Sequence, residues 1–420
     1  MGDRLKFFLN RISERLWVKP LAMCLLSIAA AFLAKTADNT DIGQFVPEIT
    51  PDSIETLLTI ISASMLVIAT FAVASMVSAY ASASTTATPR SFPLVISDDV
   101  SQNALSTFIG AFIFSIVALI ALQNGFYDKA GRFGLFALTL VVFAMVILTF
   151  VRWVDRIARL GRLGGTIDKV ETATAAALQQ RRCAPTLGGV PAGPRQDGDR
   201  AIYGRTIGYV QRVDVTALQT YAEKYGGRIT VAALPGTFVA PGRVLAYVTA
   251  DSGVLTDIDT SQIAQAFLIG DDRIFDEDPR FGLIVLSEIA SRALSPAVND
   301  PGTAIDIIGT LVRLFAGWSE PLKESDTRPC ECDRVEVPEI SLRDMFDDAF
   351  TAIARDGAGT IEVAGRLQKA FESLASIEHA MMRSVARYHA GLALARAEKA
   401  LDLPEDLDVV RKLAKFANLG

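Results

Sequence analysis

Four apolar runs dominate the first 151 residues: 18–33, 57–80, 104–122 and 133–151. A helix needs about 20 mostly apolar residues to cross the hydrocarbon core, and each run reaches that once its flanks are counted. The pattern predicts four transmembrane helices, of which the first is the shortest. A signal peptide is the rival reading of that run, since Ala29, Ala30, Ala31 and Ala34 place small residues near its end. Against it, Arg4, Lys6, Arg11, Arg15 and Lys19 spread over a long leading segment and no polar mature start follows. Leu5, Phe8, Leu9, Ile12 and Leu16 recur at helical spacing between those bases. Residues 1–16 therefore read as an amphipathic helix lying in the membrane interface.

Beyond residue 152 the pattern changes to that of an ordinary folded domain. Residues 155–182 read as a basic, then alanine-rich helix, and Gly188, Gly189, Pro191, Gly193 and Pro194 break the chain over 185–199. Residues 208–214 alternate like a strand, 215–225 read as a helix stopped by Gly226-Gly227, and 228–234 are again strand-like. From Ser261 the pattern is helical, with Asp278-Pro279 and Asp300-Pro301 as helix starts: an acidic N-cap followed by proline at the first helical position. The tail reads as helices over 340–350, 361–401 and 407–419. The expected organisation is an interfacial helix (1–16), a four-helix transmembrane domain (17–151), an exit helix and linker (152–200), a small α/β module (201–255), a helical motif region (256–316), a linker (317–338) and C-terminal helices (339–420). The fold class is an α-helical polytopic membrane domain followed by a mixed α+β cytoplasmic domain with a small β-barrel-like module.

Charge sets the expected orientation. Lys and Arg crowd the N-terminal segment and the residues after the fourth span (Arg152, Arg156, Arg159, Arg162). The connection 35–55 is acidic, with Asp38, Asp41, Glu48, Asp52 and Glu55 against Lys35. Positive loops stay inside, which places both termini in the cytoplasm. The net charge of −6 argues against a nucleic-acid partner. Four scattered cysteines form no disulfide framework.

The second span carries the least ordinary pattern. Its helical periodicity continues over 54–85, about 48 Å at 1.5 Å per residue. Ser64, Ser75, Ser78 and Ser82 fall within about 60° of arc at helical spacing. Such a hydroxyl stripe lines a polar path in an oligomer, or serves close helix packing through the small-residue pairs Ala74/Ser78, Ser75/Ala79 and Ser78/Ser82. Apart from Lys19 at the start of the first run, no ionisable residue lies inside the apolar runs, which counts against a proton-coupled transporter.

Other chemistry is sparse. Asp271, Asp272, Asp276, Glu277 and Asp278 form an acidic group that reads as solvated loop and helix-start charge before a divalent site. Cys330 and Cys332 are half a zinc site, and the two histidines, His379 and His389, do not complete it. No metal or cofactor is expected. Phosphate-loop, dinucleotide, nucleophile-elbow and metalloprotease motifs are absent, so no enzyme is expected. The segment Pro235-Gly-Thr-Phe-Val-Ala-Pro-Gly242 resembles the hairpin of biotinyl/lipoyl-type barrels, but the modifiable lysine does not follow, which removes a carrier role.

These residues also resemble a bacterial membrane-protein family catalogued as domain of unknown function 2254. The resemblance is carried by Ser106-Thr-Phe-Ile-Gly-Ala-Phe-Ile-Phe-Ser115, Gly208-Tyr-Val-Gln211, Pro235-Gly236-Thr237 with Gly242, and most specifically Asp278-Pro279-Arg280-Phe281-Gly282 followed by Arg292-Ala-Leu-Ser295-Pro296-Ala-Val-Asn299-Asp300-Pro301 and Thr303. The family's Ser-Pro-Arg-containing segment after the second span survives here only as Thr88-Pro89-Arg90. The resemblance implies the architecture and a bacterial inner membrane and supplies no mechanism. The leading expectation is an oligomeric, channel-like or transport-related protein with a cytoplasmic gating domain; the alternative is a non-transporting membrane sensor, regulator or scaffold that binds a ligand or protein. In the second case Arg292, Ser295, Asn299, Asp300 and Thr303 mark a candidate site, against helix capping as the plainer account of Asn299 and Asp300.

Overall fold

The computed structural model describes residues 17–39, 46–96, 98–157, 162–194, 199–250, 259–326 and 329–418. The amphipathic segment 1–16 lies outside them. The chain divides into two compact units, 1–166 and 167–420, which are described in turn.

Among the described residues the first unit holds four helices long and apolar enough to cross a membrane: α1 (Val18–Lys35), α2 (Pro51–Thr86), α3 (Asp99–Gln123) and α4 (Lys129–Ile157). Each extends the apolar run that predicted it, because the polar residues at either end continue the helix. With 36 residues, α2 is about 54 Å long. The central helix is α3, which packs against the other three. It buries Ala104, Phe108, Ala111, Phe114 and Ala118, and its Gly110 lets α1 approach so closely that a Cβ there would meet Met23 Cβ and Ser27 Oγ at 3.2 Å. Helix α2 turns Ile54, Leu58, Ile61, Met65, Ala72, Met76 and Ala83 inward at three- and four-residue spacing. Outward, Leu25, Leu26, Leu33, Val67, Phe71, Leu148 and Val151 are more than half exposed, the surface that lipid covers.

Polar groups collect at the two ends of this bundle. At one end Asp98 caps α3, its Oδ2 accepting from the Ser101 N–H (3.2 Å) and hydroxyl (2.7 Å). Its Oδ1 accepts from Arg156 Nε at 3.0 Å, and Lys19 pairs with Asp99 nearby in sequence. At the other, Asp38 meets Lys35 at 3.2 Å and accepts from the Asp128 N–H, and the Tyr127 hydroxyl donates to Ala31 O at 2.8 Å.

The second unit begins within α5 (Leu163–Cys183), and its described residues form two open sheets. One has the order β1-β8-β4-β6-β2, made of Gly189–Pro191, Cys332–Val337, Gly227–Val231, Val244–Ala250 and Arg200–Tyr203. Its β1/β8 and β8/β4 pairs are parallel and the rest antiparallel. The other, β5-β3-β7, joins Phe238–Val239, Gly208–Val213 and Phe267–Gly270 antiparallel. Helix α6 (Val215–Tyr225), capped by Asp214 and stopped by Gly226 at φ 61°, packs its Leu218 and Ala222 into the same core as Ile229, Val239, Leu245 and Val335.

This arrangement corrects the barrel-like expectation. The strands on either side of Gly242 do not form one hairpin: β5 joins the three-stranded sheet and β6 the five-stranded one. Residues 332–337, expected within a linker, form the strand β8, because Val335 and Val337 bury one face in the core shared with α6 while the backbone pairs with β4 and β1. The longer helices that follow are α7 (Pro279–Ala293), α8 (Pro301–Ser319), α9 (Leu342–Asp356), α10 (Ile361–Ala375), α11 (Ala380–Ala400) and α12 (Pro404–Leu413). Their interior is aromatic: Phe315, Phe346, Phe350 and Phe371 stack at centroid distances of 4.4–6.5 Å.

Candidate functional site

The start of α7 is fixed locally. Asp278 caps it, Oδ1 accepting from the Phe281 N–H at 3.2 Å, and Pro279 supplies the first helical residue. Asp278 is 2% exposed, and burial raises its carboxyl above the usual range while the adjacent guanidinium of Arg273 opposes that rise. Arg273 Nε donates to Asp278 Oδ2 at 2.7 Å and lies 5.3 Å from the ring of Phe281. Phe281 in turn packs on Phe275 at 4.6 Å.

Against this carboxylate lies the turn 235–237. Gly236 has φ 91° and a Cβ there would stand 2.7 Å from Asp278 Cγ. Its N–H donates to Val210 O (2.8 Å) while the Val210 N–H donates to Thr237 O (2.9 Å), so the turn is fastened to β3. Glycine is required twice here, for the backbone conformation and for the space. Gly282 answers a similar need one turn into α7: its added Cβ would lie 2.8 Å from Thr174 Cβ on α5.

The turn and the start of α7 form two walls of a cleft of about 330 Å³; the segment 338–341 and the start of α9 form another. Three guanidiniums line it, those of Arg243, Arg273 and Arg280. Arg280 Nε donates to Asp348 (2.6 Å) and Nη1 to Asp344 (3.0 Å), which ties α7 to α9. Ser341 caps α9 by accepting from the Asp344 N–H at 3.2 Å. Next to Asp278, Glu277 meets Arg212 at 3.3 Å, and Arg181 of α5 donates to its backbone oxygen at 3.4 Å. Burial pushes the Glu277 carboxyl up to about 7 against the pull of Arg212 and Arg181, and pushes Arg181, 3% exposed, down to about 10.

The structure brings together Asp278, Pro279, Phe281 and Gly282 with the turn 235–237. It does not bring the second half of the motif to the same place. Arg292, Ser295, Pro296, Asn299, Asp300, Pro301 and Thr303 lie around the far end of α7, about 22 Å along a 15-residue helix. There Asn299 takes φ 50° and the Asp300 N–H donates to Ala293 O at 2.8 Å. Asp300 caps α8, accepting from the Thr303 N–H (3.1 Å) and hydroxyl (2.6 Å), bonds that hold its carboxyl below the usual range. Turn geometry and capping therefore account for Asn299 and Asp300, while Arg292, Pro296 and Asn299 stay exposed. In the first unit Ser64, Ser78 and Ser82 are exposed and Ser75 is half-buried; with Ala74, Ala79 and Ile157, Ser75, Ser78 and Ser82 line a shallow groove. Cys332 is buried in β8, and Cys330 is exposed. His379 caps α11 through Nδ1, and His389 is buried among Phe346, Phe371 and Tyr388. Among the described residues no three metal-ligating side chains converge.

The arginines of the cleft escaped the reading of the sequence. Arg243 and Arg280 stand in its motifs as unremarked letters, and Asp344 and Asp348, which hold Arg280, are more than 60 residues away in sequence. No spacing rule couples them.

The chain belongs to the family described as predicted membrane protein (DUF2254), whose model matches residues 13–373. It is 26% identical over 324 residues to an uncharacterized protein of Mycobacterium tuberculosis (strain CDC 1551 / Oshkosh), a match covering 73% of this chain and 61% of that one. An uncharacterized protein of Mycobacterium bovis (strain ATCC BAA-935 / AF2122/97) matches to the same extent. The match thus spans less than two thirds of the length of these relatives. No solved structure matches the chain.

Proposed function

We propose that this protein is a membrane-anchored sensor or regulator of the bacterial inner membrane, whose second unit is cytoplasmic and takes a small polar ligand in the cleft beneath the turn 235–237. One observation carries the reading: two sequence blocks some 40 residues apart, Pro235-Gly236-Thr237 and Asp278-Pro279-Arg280, converge on one concave surface lined by three arginines. Convergent polar groups in a cleft are the usual form of a ligand site. The role assigned to the cleft is binding rather than turnover, since the Asp278 and Asp344 carboxylates are committed to caps and ion pairs. The basic residues that flank the first and fourth spans support the cytoplasmic placement.

A second reading, an oligomeric channel, is favoured by the exposure of Ser64, Ser78 and Ser82 on α2. A stripe of hydroxyls turned out of its own bundle would face an axis shared between copies. Current recordings of the full chain in a planar bilayer, under ionic gradients, separate the two. The regulator reading expects a silent bilayer from correctly folded protein. Discrete conductance steps, lost in Ser78→Leu, would replace it with the channel.

A further inference from the structure

We infer that the ligand of this cleft carries a phosphate group, bound by the unspent N–H donors of Arg243, Arg273 and Arg280. The inference rests on the reading of the cleft as a ligand site and adds the chemistry of what enters it. It follows from an inventory of donors and acceptors. A guanidinium offers five N–H donors. Arg273 spends Nε on Asp278, and its two Nη groups have no hydrogen-bond partner among the described residues. Arg280 spends Nε and Nη1 on Asp348 and Asp344, leaving Nη2. Arg243, exposed at the rim, has no side-chain partner among the described residues.

Of the three carboxylates in the lining, two are engaged by these arginines and one is not. Both oxygens of Asp278 are bonded, one to the Phe281 N–H and one to Arg273. Asp344 is held by Arg280, and Glu339 stands exposed to water at the rim. The cleft thus presents donors from three separate guanidiniums to whatever enters. Such a surplus is matched by a ligand rich in anionic oxygens, and donors arriving from three side chains suit a tetrahedral phosphate better than a planar carboxylate with two oxygens. The acids behind Arg273 and Arg280 orient those two guanidiniums, while Arg243 stands at the rim of a lining that also holds Glu339. The phosphate has two possible sources, a free phosphorylated metabolite or the headgroup of a phospholipid.

Titration calorimetry on the full chain in detergent, after dialysis free of phosphate, tests this. The probes are inorganic phosphate, glycerol 3-phosphate, a short-chain phosphatidic acid, and citrate as a carboxylate control. The expected result is saturable phosphate binding, weakened about tenfold or more in Arg243→Gln, with citrate binding weaker. Arg243 is exposed, so this variant is expected to fold normally. Tighter binding of a short-chain phosphatidic acid than of glycerol 3-phosphate supports the headgroup source, and equal or weaker binding supports a free phosphorylated metabolite. Arg243-dependent binding of citrate but not of phosphate would overturn the phosphate assignment and keep the cleft as a ligand site. Binding of none of the four would overturn the phosphate assignment, leaving the cleft itself to be judged by what the purified chain carries.

Discussion

Gly236 sits directly over the carboxylate of Asp278, with room for a hydrogen where any other residue would place a Cβ 2.7 Å from Asp278 Cγ. Asp278 cannot yield easily. It is buried, caps α7 and holds Arg273. This pair joins the β-module to the helical part of the second unit where two walls of the cleft meet.

Replacing Gly236 by alanine therefore imposes both a strained φ and a displaced buried carboxylate. The expected cost is about 2–3 kcal/mol of stability. A lowered midpoint of urea unfolding for Gly236→Ala is the check. A change within experimental error would show that Asp278 has somewhere else to go.

Two buried groups make the second unit's stability depend on pH in opposite senses. His389, 2% exposed, is held down to about 4 by burial, with Asp347 at 3.5 Å opposing. As pH falls from about 6.5 toward 4 the unfolded chain binds a proton that the folded chain refuses, and up to about 3 kcal/mol is lost. Glu277, raised to about 7, works the other way. Between about 4.5 and 7 the folded chain holds a proton that the unfolded chain has released, so its contribution is lost as pH rises. The two slopes oppose one another near pH 5–6. Glu277→Gln should steepen the acid loss of stability, and His389→Phe should flatten it, in unfolding midpoints measured across pH 4–8.

In the first unit Asp98 both caps α3 and pairs with Arg156 of α4. Asp98→Ala removes both and leaves the Ser101 N–H without its cap, at an expected cost of about 1–3 kcal/mol. Arg156 is 39% exposed, which limits the ion-pair share. Asp98→Asn retains a capping oxygen and should cost less. Thermal denaturation in detergent micelles gives the order wild type, Asn, Ala.

The distribution of Lys and Arg predicts that a reporter fused after residue 420 is active only as a cytoplasmic fusion. A reporter inserted in the connection between α1 and α2 should be active only on the far side of the membrane. Opposite results at either point would invert the proposed topology.

The spans and the helix starts were legible because their causes are local. Twenty apolar residues, or an Asp-Pro pair ahead of an amphipathic run, carry the signal within one continuous segment of the chain. Asp300 was legible as a cap for the same reason. The cleft was not. Gly236 and Asp278 are 42 residues apart, and Arg280 finds Asp348 only once α7 lies beside α9. The strand β8 was hidden in an apparent linker because its partners β1 and β4 come more than 100 residues earlier. The barrel expectation failed because a glycine turn looks the same whether its two strands stay in one sheet or part into two.

The central claim is that the cleft beneath Gly236 holds a ligand, and native mass spectrometry of the full chain, released from detergent as purified, tests it most directly. The account predicts a stoichiometric small-molecule adduct on the wild-type chain that is absent from Arg243→Glu at unchanged fold. Superimposable spectra of the two proteins, with no adduct on either, would contradict it.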